Sequence, residues 1–245
     1  MKSKDNSSTV DKDDQIKFDK LKNNWWNTEG PMKALHHFNK IRINYIKKHL
    51  GKISQNSFKP FSNIDILDIG CGGGILSEPL SRLGGNVTGL DSNHNAIAVA
   101  KKHSKENLLK IKYIADDLKN FTSSKQYDLV TCMEVIEHVT NLDVFINEIK
   151  KFVKPGGHLI GSTISKSISS FLLAIVAAEY VFNLLPKKTH EWNKFVRPEI
   201  LKEVLENHGF FEFHVSGVVY NPYLRDWYFS RFKKVNYLFS AKKLK

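Results

Sequence analysis

Cysteine is nearly absent: Cys71 and Cys132 are the only two in 245 residues. Two thiols are too few for a disulfide scaffold. No Cys-x-x-Cys pair begins a structural zinc site, which needs about four nitrogen or sulfur ligands. Long apolar runs are lacking as well; a membrane-spanning helix needs about 20 predominantly apolar residues. The opening Met1 to Asp14 has no apolar stretch for a signal peptide. It carries Asp5, Asp11, Asp13 and Asp14 and no arginine, unlike an organelle transit peptide. These absences point to a reducing, cytoplasmic setting. Acids are also scarce, 25 against 37 lysines and arginines, for a formal charge of +12. Such a chain is drawn to phosphate, on nucleic acid or on an anionic membrane surface. A lysine-biased composition with no specific partner explains the charge equally well.

What is present is ordinary for a globular protein: 41% hydrophobic and 25% charged residues. A chain of this length buries roughly 70% of its unfolded surface, as one domain or one domain with an arm. Residues 1–15 form a disordered lead-in by composition. Residues 16–63 form a basic helical arm, with no acid between Glu29 and Asp65. Within it Leu35, Phe38, Ile41, Tyr45 and Leu50 mark an amphipathic helix with a basic polar face. From residue 64 onward short apolar strands alternate with helices of about ten residues, the pattern of βαβ units around a parallel sheet. The strands fall at 64–69, 86–91, 111–115, 127–132 and 158–163. Two more, 210–220 and 235–243, follow a helix at 198–209 that opens on proline and closes on glycine. The expectation is an α/β fold, Rossmann-like, with a mostly parallel seven-stranded sheet spanning 64–245 and helices on both faces.

The segment Asp68-Ile69-Gly70-Cys71-Gly72-Gly73-Gly74 follows a strand and opens a helix. Glycines there let the backbone turn sharply and approach a ligand, and the helix start offers unpaired N–H groups. The third glycine of a dinucleotide fingerprint is missing, since Ile75 stands there; the pattern is DxGxGxG. Asp91 ends the next strand, placed to accept hydrogen bonds from two ribose hydroxyls at the carboxyl edge of the sheet. Gly70, Gly72 and Asp91 together point to a nucleotide-type cofactor.

After the fourth strand, Glu134, Glu137 and His138 stand at i, i+3 and i+4. On one helical turn they share a face and could hold Mg²⁺, which would lower the pKa of a bound phenol. Alternatively, the first glutamate and the histidine serve packing and loop order. The base-amine motif of nucleic-acid methylating enzymes is missing at this place. Residues 165–195 are an insertion whose apolar core, Phe171 to Ala178, is flanked by Lys166, Lys187 and Lys188. The insertion suits a helical lid over the substrate mouth, packed on its own domain or in contact with lipid.

DIGCGGG followed by GLD resembles the Rossmann-like S-adenosylmethionine-dependent methyltransferases. Residues 25–30 (WWNTEG), 35–46 (LHHFNKIRINYI), 127–139 (YDLVTCMEVIEHV), 177–181 (AAEYV) and 187–201 (KKTHEWNKFVRPEIL) narrow the likeness. With these, about 16–243 resembles the ubiquinone-biosynthesis O-methyltransferase family. The resemblance implies methyl transfer from S-adenosylmethionine to phenolic hydroxyls of polyprenylated rings at two steps of that pathway. It implies Arg42, Gly70, Asp91 and Met133 as cofactor contacts, and Glu134, Glu137 and His138 as magnesium ligands, as in eukaryotic members. It also implies contact of the insertion with the membrane, hence a cytoplasmic protein peripherally attached to it, beside other proteins of the pathway as candidate partners. Taken on their own chemistry, Met133 suits a polarizable apolar contact and Arg42 a forked contact to a carboxylate. His190, after the apolar stretch, is a candidate base for the phenol. Two other readings stay open: an RNA methyltransferase, prompted by the charge, and a non-catalytic lipid-binding protein on a methyltransferase fold. No nucleic-acid partner is expected.

Overall fold

A computed structural model describes residues 25–30, 32–50, 58–164, 196–221, 223, 226–233 and 236–245. The lead-in at 1–15 and the insertion at 165–195, with His190, lie outside the described residues. Among these residues eight strands form one sheet: β1 (Asp65–Ile69), β2 (Asn86–Asp91), β3 (Lys112–Ala115), β4 (Tyr127–Met133), β5 (Val153–Ile164), β6 (Phe210–Asn221), β7 (Asp226–Ser230) and β8 (Asn236–Lys243). Their order is β3-β2-β1-β4-β5-β8-β6-β7. The first five run parallel, and β8, β6 and β7 add antiparallel edges. The strand order reverses between β1 and β4, which opens a crevice at their carboxyl ends, where ligands bind in open α/β sheets.

The α/β Rossmann-like expectation holds, with one correction: the sheet has eight strands rather than seven. The extra strand, β7, is a five-residue edge paired only with β6. Tyr228 and Phe229 on it are more than two-fifths exposed. An edge that buries so little needs no alternating pattern, so it leaves no signal to read.

Among the described residues five α-helices cover the sheet: α1 (Lys33–Leu50), α2 (Ser77–Arg82), α3 (His94–Glu106), α4 (Leu142–Phe152) and α5 (Pro198–Asn207). Side chains alternate along each strand and feed two core layers. On one side Ile66, Leu129, Ile160 and Leu238 meet Phe38, Ile41, Tyr45 and Ile46 of α1 and Leu80 of α2. On the other Leu67, Val130, Leu159 and Phe239 meet Phe145, Ile146 and Ile149 of α4 and Leu201 and Leu205 of α5. Asn93 caps α3 by accepting from Ala96 N at 3.0 Å, and Asn141 caps α4 by accepting from Val144 N at 3.1 Å. Pro198 opens α5, and Gly209 follows it at φ +80°. Tyr45 Oη donates to the carbonyl of His214 at 3.1 Å, tying α1 to β6.

The apolar face of α1 is thus part of the main core. Ile46→Ala, at a fully buried position, is expected to cost about 2–5 kcal/mol. Lys40→Ala removes only the exposed 3.4 Å pair with Asp226 and is expected to change stability by less than about 1 kcal/mol. Urea denaturation of the two variants measures both.

Candidate active site

The glycine turn lies at the crevice between β1 and β4. Gly70, Gly72 and Gly74 take positive φ of 69°, 53° and 86°, conformations that a side chain would strain. Gly70 also lacks room, since a Cβ there would sit 2.4 Å from Val135 Cγ2. Asp91, at the end of β2, anchors the turn. Its carboxylate accepts from Gly72 N at 2.8 Å and from Asn93 N at 2.8 Å. Burial raises its pKa, and these two N–H donors oppose the rise. Asp91 therefore joins the turn to the start of α3 and keeps further lone pairs for a ligand.

The Trp25-Trp26 pair covers the turn from above. The Trp25 ring lies where a Cβ on Gly72 or Gly73 would stand, at 2.5 and 2.6 Å. Trp26 Nε1 donates to the carbonyl of Gly73 at 2.9 Å, and its ring stacks on His103 at 3.6 Å. His103 Nδ1 in turn lies 2.7 Å from buried Glu78 Oε1. Small residues in the turn thus admit an aromatic cover as well as a ligand.

Beneath the turn lies a buried polar network. Asp68 accepts from Ser77 Oγ at 2.6 Å and from Thr131 Oγ1 at 2.7 Å. Burial nonetheless pushes its pKa up to about 6, against the pull of those hydroxyls and of Arg42. Arg42 points inward from the apolar face of α1, 4% exposed. It pairs with Glu134, donates to Asn39 Oδ1 at 3.1 Å and lies 4.7 Å from the Phe38 ring centre. Burial lowers its pKa to about 10, while Asp68 and Glu137 raise it. Its Nε has no hydrogen-bond partner among the described residues.

The acid-acid-histidine segment takes a local shape other than the expected helical turn. The chain passes Glu134 at φ +52° and then makes a single 3₁₀ turn, Ile136–His138. No α-helical face therefore gathers the three side chains. Glu134 turns to Arg42 and Ser162, and buried Glu137 accepts from Thr163 Oγ1 at 2.7 Å. Among the described residues no three histidines, cysteines or acids are grouped to hold a metal ion. Glu134 and Glu137 are thus engaged by partners within the chain, and Mg²⁺ at this segment stays an expectation. Met133 lies at the end of β4, packed in the α1-side core, and Ser162 Oγ contacts its sulfur at 3.3 Å. Cys71 and Cys132 are free, buried thiols whose pKa values burial raises.

Sequence reasoning placed Arg42, Gly70, Gly72, Asp91 and Met133 around one crevice, and the structure brings them to the same end of the sheet. It assigned no part to Ser77, Thr131, Ser162 and Thr163. Thr131 carries a signal in hindsight: it is a hydroxyl in a strand buried on both faces, in register with Asp68.

Residues 37–212 match a family described as "Methyltransferase domain". A ubiquinone biosynthesis O-methyltransferase from Methylobacterium nodulans is 40% identical over 240 residues, 96% of each chain. One from Pelagibacter ubique is 40% identical over 233 residues, 94% of this chain and 97% of its own. The chain belongs to the ubiquinone biosynthesis O-methyltransferase family. It is therefore an enzyme of the O-methylating kind, and the readings as an RNA methyltransferase or a non-catalytic protein fall away. The fold matches too. Magnesium protoporphyrin IX methyltransferase from Synechocystis, solved with S-adenosylmethionine, superposes with a TM-score of 0.63 at 17% identity, over 96% of this chain and 98% of that one. The N-methyltransferase NodS from Bradyrhizobium japonicum superposes at 0.62 with 16% identity, over 94% and 98%.

Two outcomes follow from this geometry. Gly73→Ala forces a methyl against Trp25 and is expected to cost about 1–3 kcal/mol. In a Trp25→Ala background the same change is expected to cost much less; a double-mutant cycle by urea denaturation reads the difference. Thr131→Val removes a donor from buried Asp68 at nearly constant shape, for an expected loss of about 1–3 kcal/mol. The folded pKa of Asp68, about 6, exceeds its ordinary 3.8, so folding takes up a proton. Its contribution is fully present below the ordinary value and is lost as pH rises through the folded one. Thr131→Val raises the folded pKa, so in unfolding curves taken across pH the loss extends to higher pH.

Proposed function

We propose that this enzyme methylates phenolic hydroxyls of polyprenylated rings with S-adenosylmethionine, at both O-methylation steps of ubiquinone biosynthesis. These are the methylation of a 2-polyprenyl-6-hydroxyphenol and the 3-O-methylation of 3-demethylubiquinol. The observation that carries the reading is 40% identity to enzymes of that name along 96% of the chain, joined to the turn and acid described above.

The crevice suits the cofactor. Gly70 and Gly72 would let it approach the backbone, and Asp91 would accept from its ribose hydroxyls. The unused Nε of Arg42 would meet its carboxylate, and Met133 would supply an apolar, polarizable wall. The cofactor supplies an electrophilic methyl group on a cationic sulfur. Asp68, Asp91, Glu134 and Glu137 outnumber Arg42, so the protein's own charges favour a cation there over the neutral thioether left after transfer. Holding donor and acceptor in line supplies much of the rate. The phenol must lose its proton, and His190 is the candidate base. Because Glu134 and Glu137 are already engaged, no step is routed through a metal ion.

The polyprenyl tail of the substrate calls for an apolar surface. The insertion at 165–195 and the basic face of α1 support peripheral attachment to an anionic membrane from the cytoplasmic side, with other proteins of the pathway as neighbours. No helix among the described residues is long and apolar enough to cross a membrane.

The test is methyl transfer from labelled S-adenosylmethionine to a short-chain prenylated catechol, with lipid present. Product is expected, and EDTA is expected to leave the rate unchanged. Asp91→Ala is expected to lower kcat/KM by at least about 100-fold. His190→Gln is expected to lower kcat by about 100-fold or more with cofactor affinity unchanged. Absence of product from a protein that binds the cofactor would overturn the reading, and product abolished by EDTA and restored by Mg²⁺ would overturn the metal-free step.

A further inference from the structure

A basic cleft lies under the last turn of α1, at the far end of the sheet from the glycine turn. Lys48, His49, His158, His214 and Lys242 line it, with Glu212 as the one acid in its wall; its volume is ≈ 420 Å³ including the open mouth. Strand register fixes its place. His158 of β5 stands opposite Leu129 of β4 and Lys242 of β8, and His214 of β6 stands opposite Ser240 of β8. Ser162, beside the active site, lies four residues farther along β5, about 13 Å away.

Among the described residues that line the cleft, cationic groups exceed the single carboxylate. Lys48 and Lys242 face Glu212, which accepts from Lys242 Nζ at 3.3 Å. Glu212 itself sits at φ +52°, at a break in the pairing of β6 with β8. The His49 ring packs 4.3 Å from that of Tyr45 and 5.2 Å from that of His214. Its Nε2 is buried and has no hydrogen-bond partner among the described residues, a cost that a ligand would relieve. Burial, with His214, Lys48 and His158 nearby, holds the pKa of His49 down to about 4. Three imidazoles line the cleft, but none of the described residues are grouped for a metal ion, and two ammonium groups repel a cation.

We propose that this cleft is a second ligand site, which binds a phosphoryl dianion through Lys48, Lys242 and the imidazoles of His49 and His214. Lysines supply point charges, and protonated His49 supplies the buried N–H donor. The groups facing His49 are Lys48 and Tyr45 on α1, His158 on β5, Glu212 and His214 on β6, and Ser240 and Lys242 on β8. Glu212 alone among them is acidic, so a bound dianion is what raises the His49 pKa. Binding therefore takes up a proton, and affinity rises as pH falls.

The experiment follows the imidazole nitrogen resonances of the full-length protein by NMR during titration with inorganic sulfate, whose charge is constant over the range, and then with inorganic phosphate. Saturable shifts at His49 and His214 are expected, with affinity rising by up to about tenfold per unit between about pH 7 and about pH 5. His49→Gln and Lys242→Gln are each expected to weaken binding at least about tenfold while methyl transfer stays unchanged. Phosphatidic acid vesicles, compared with phosphatidylcholine vesicles, separate the two sources of the group. Retention that Lys242→Gln removes assigns a lipid headgroup, and response to free phosphate alone assigns a soluble phosphoryl compound. The proposal is overturned if no saturable shift occurs at either histidine, or if both folded variants bind sulfate as the parent does.

Discussion

One buried guanidinium holds the active end of this enzyme together. Arg42 comes from α1, yet its countercharges come from β1, from the end of β4 and from the 3₁₀ turn that follows. A buried cation is tolerable only with such partners, and losing one partner of a buried pair typically costs about 3–5 kcal/mol. The helix therefore cannot slide on the sheet without stranding a charge. The same acids exceed the single cation, so the crevice keeps a negative bias toward a cationic ligand. Structural and chemical demands meet in the same side chains: Asp68 takes hydroxyl donors from two elements and still titrates high.

Much of the fold is legible in the sequence because buried parallel strands leave unbroken apolar runs. Ile66 and Leu67 face opposite cores, so β1 presents apolar side chains to both faces, with Asp68 as its buried exception. Helix ends are legible where a cap or a proline marks them, as at Asn93, Asn141 and Pro198. The edge strand β7 is not, because it has one neighbour and little burial. Periodicity puts Arg42 on the apolar face, four residues after Phe38 and three before Tyr45, but it does not show what a buried cation meets there. Its acids lie 26 and more residues away, Asp68 being the nearest in sequence, and only tertiary packing brings them to the helix.

The site divides in the same way. Gly70, Gly72 and Asp91 are legible because a sharp turn with positive φ demands glycine, and an acid at a strand end has few roles in this fold. The spacing of Glu134, Glu137 and His138 presumes α-helical geometry. Three to four residues span one α turn, but here a left-handed residue precedes a 3₁₀ turn, so spacing alone does not set which way the three side chains face. The aromatic cover of Trp25 and Trp26 is visible as a motif in the chain, but its contact with Gly72 and Gly73 exists only after the arm has folded back.

The backbone of Glu134 has a consequence for how this sequence can change. A left-handed conformation costs a residue with a side chain roughly 1–2 kcal/mol, and glycine would escape that penalty. Glycine would also leave Arg42 without its closest carboxylate. The ion pair outweighs that penalty, since losing one partner of a buried pair costs about 3–5 kcal/mol. Folding and chemistry therefore ask for the same side chain here. A library screened only for folding would keep the acid in spite of its backbone.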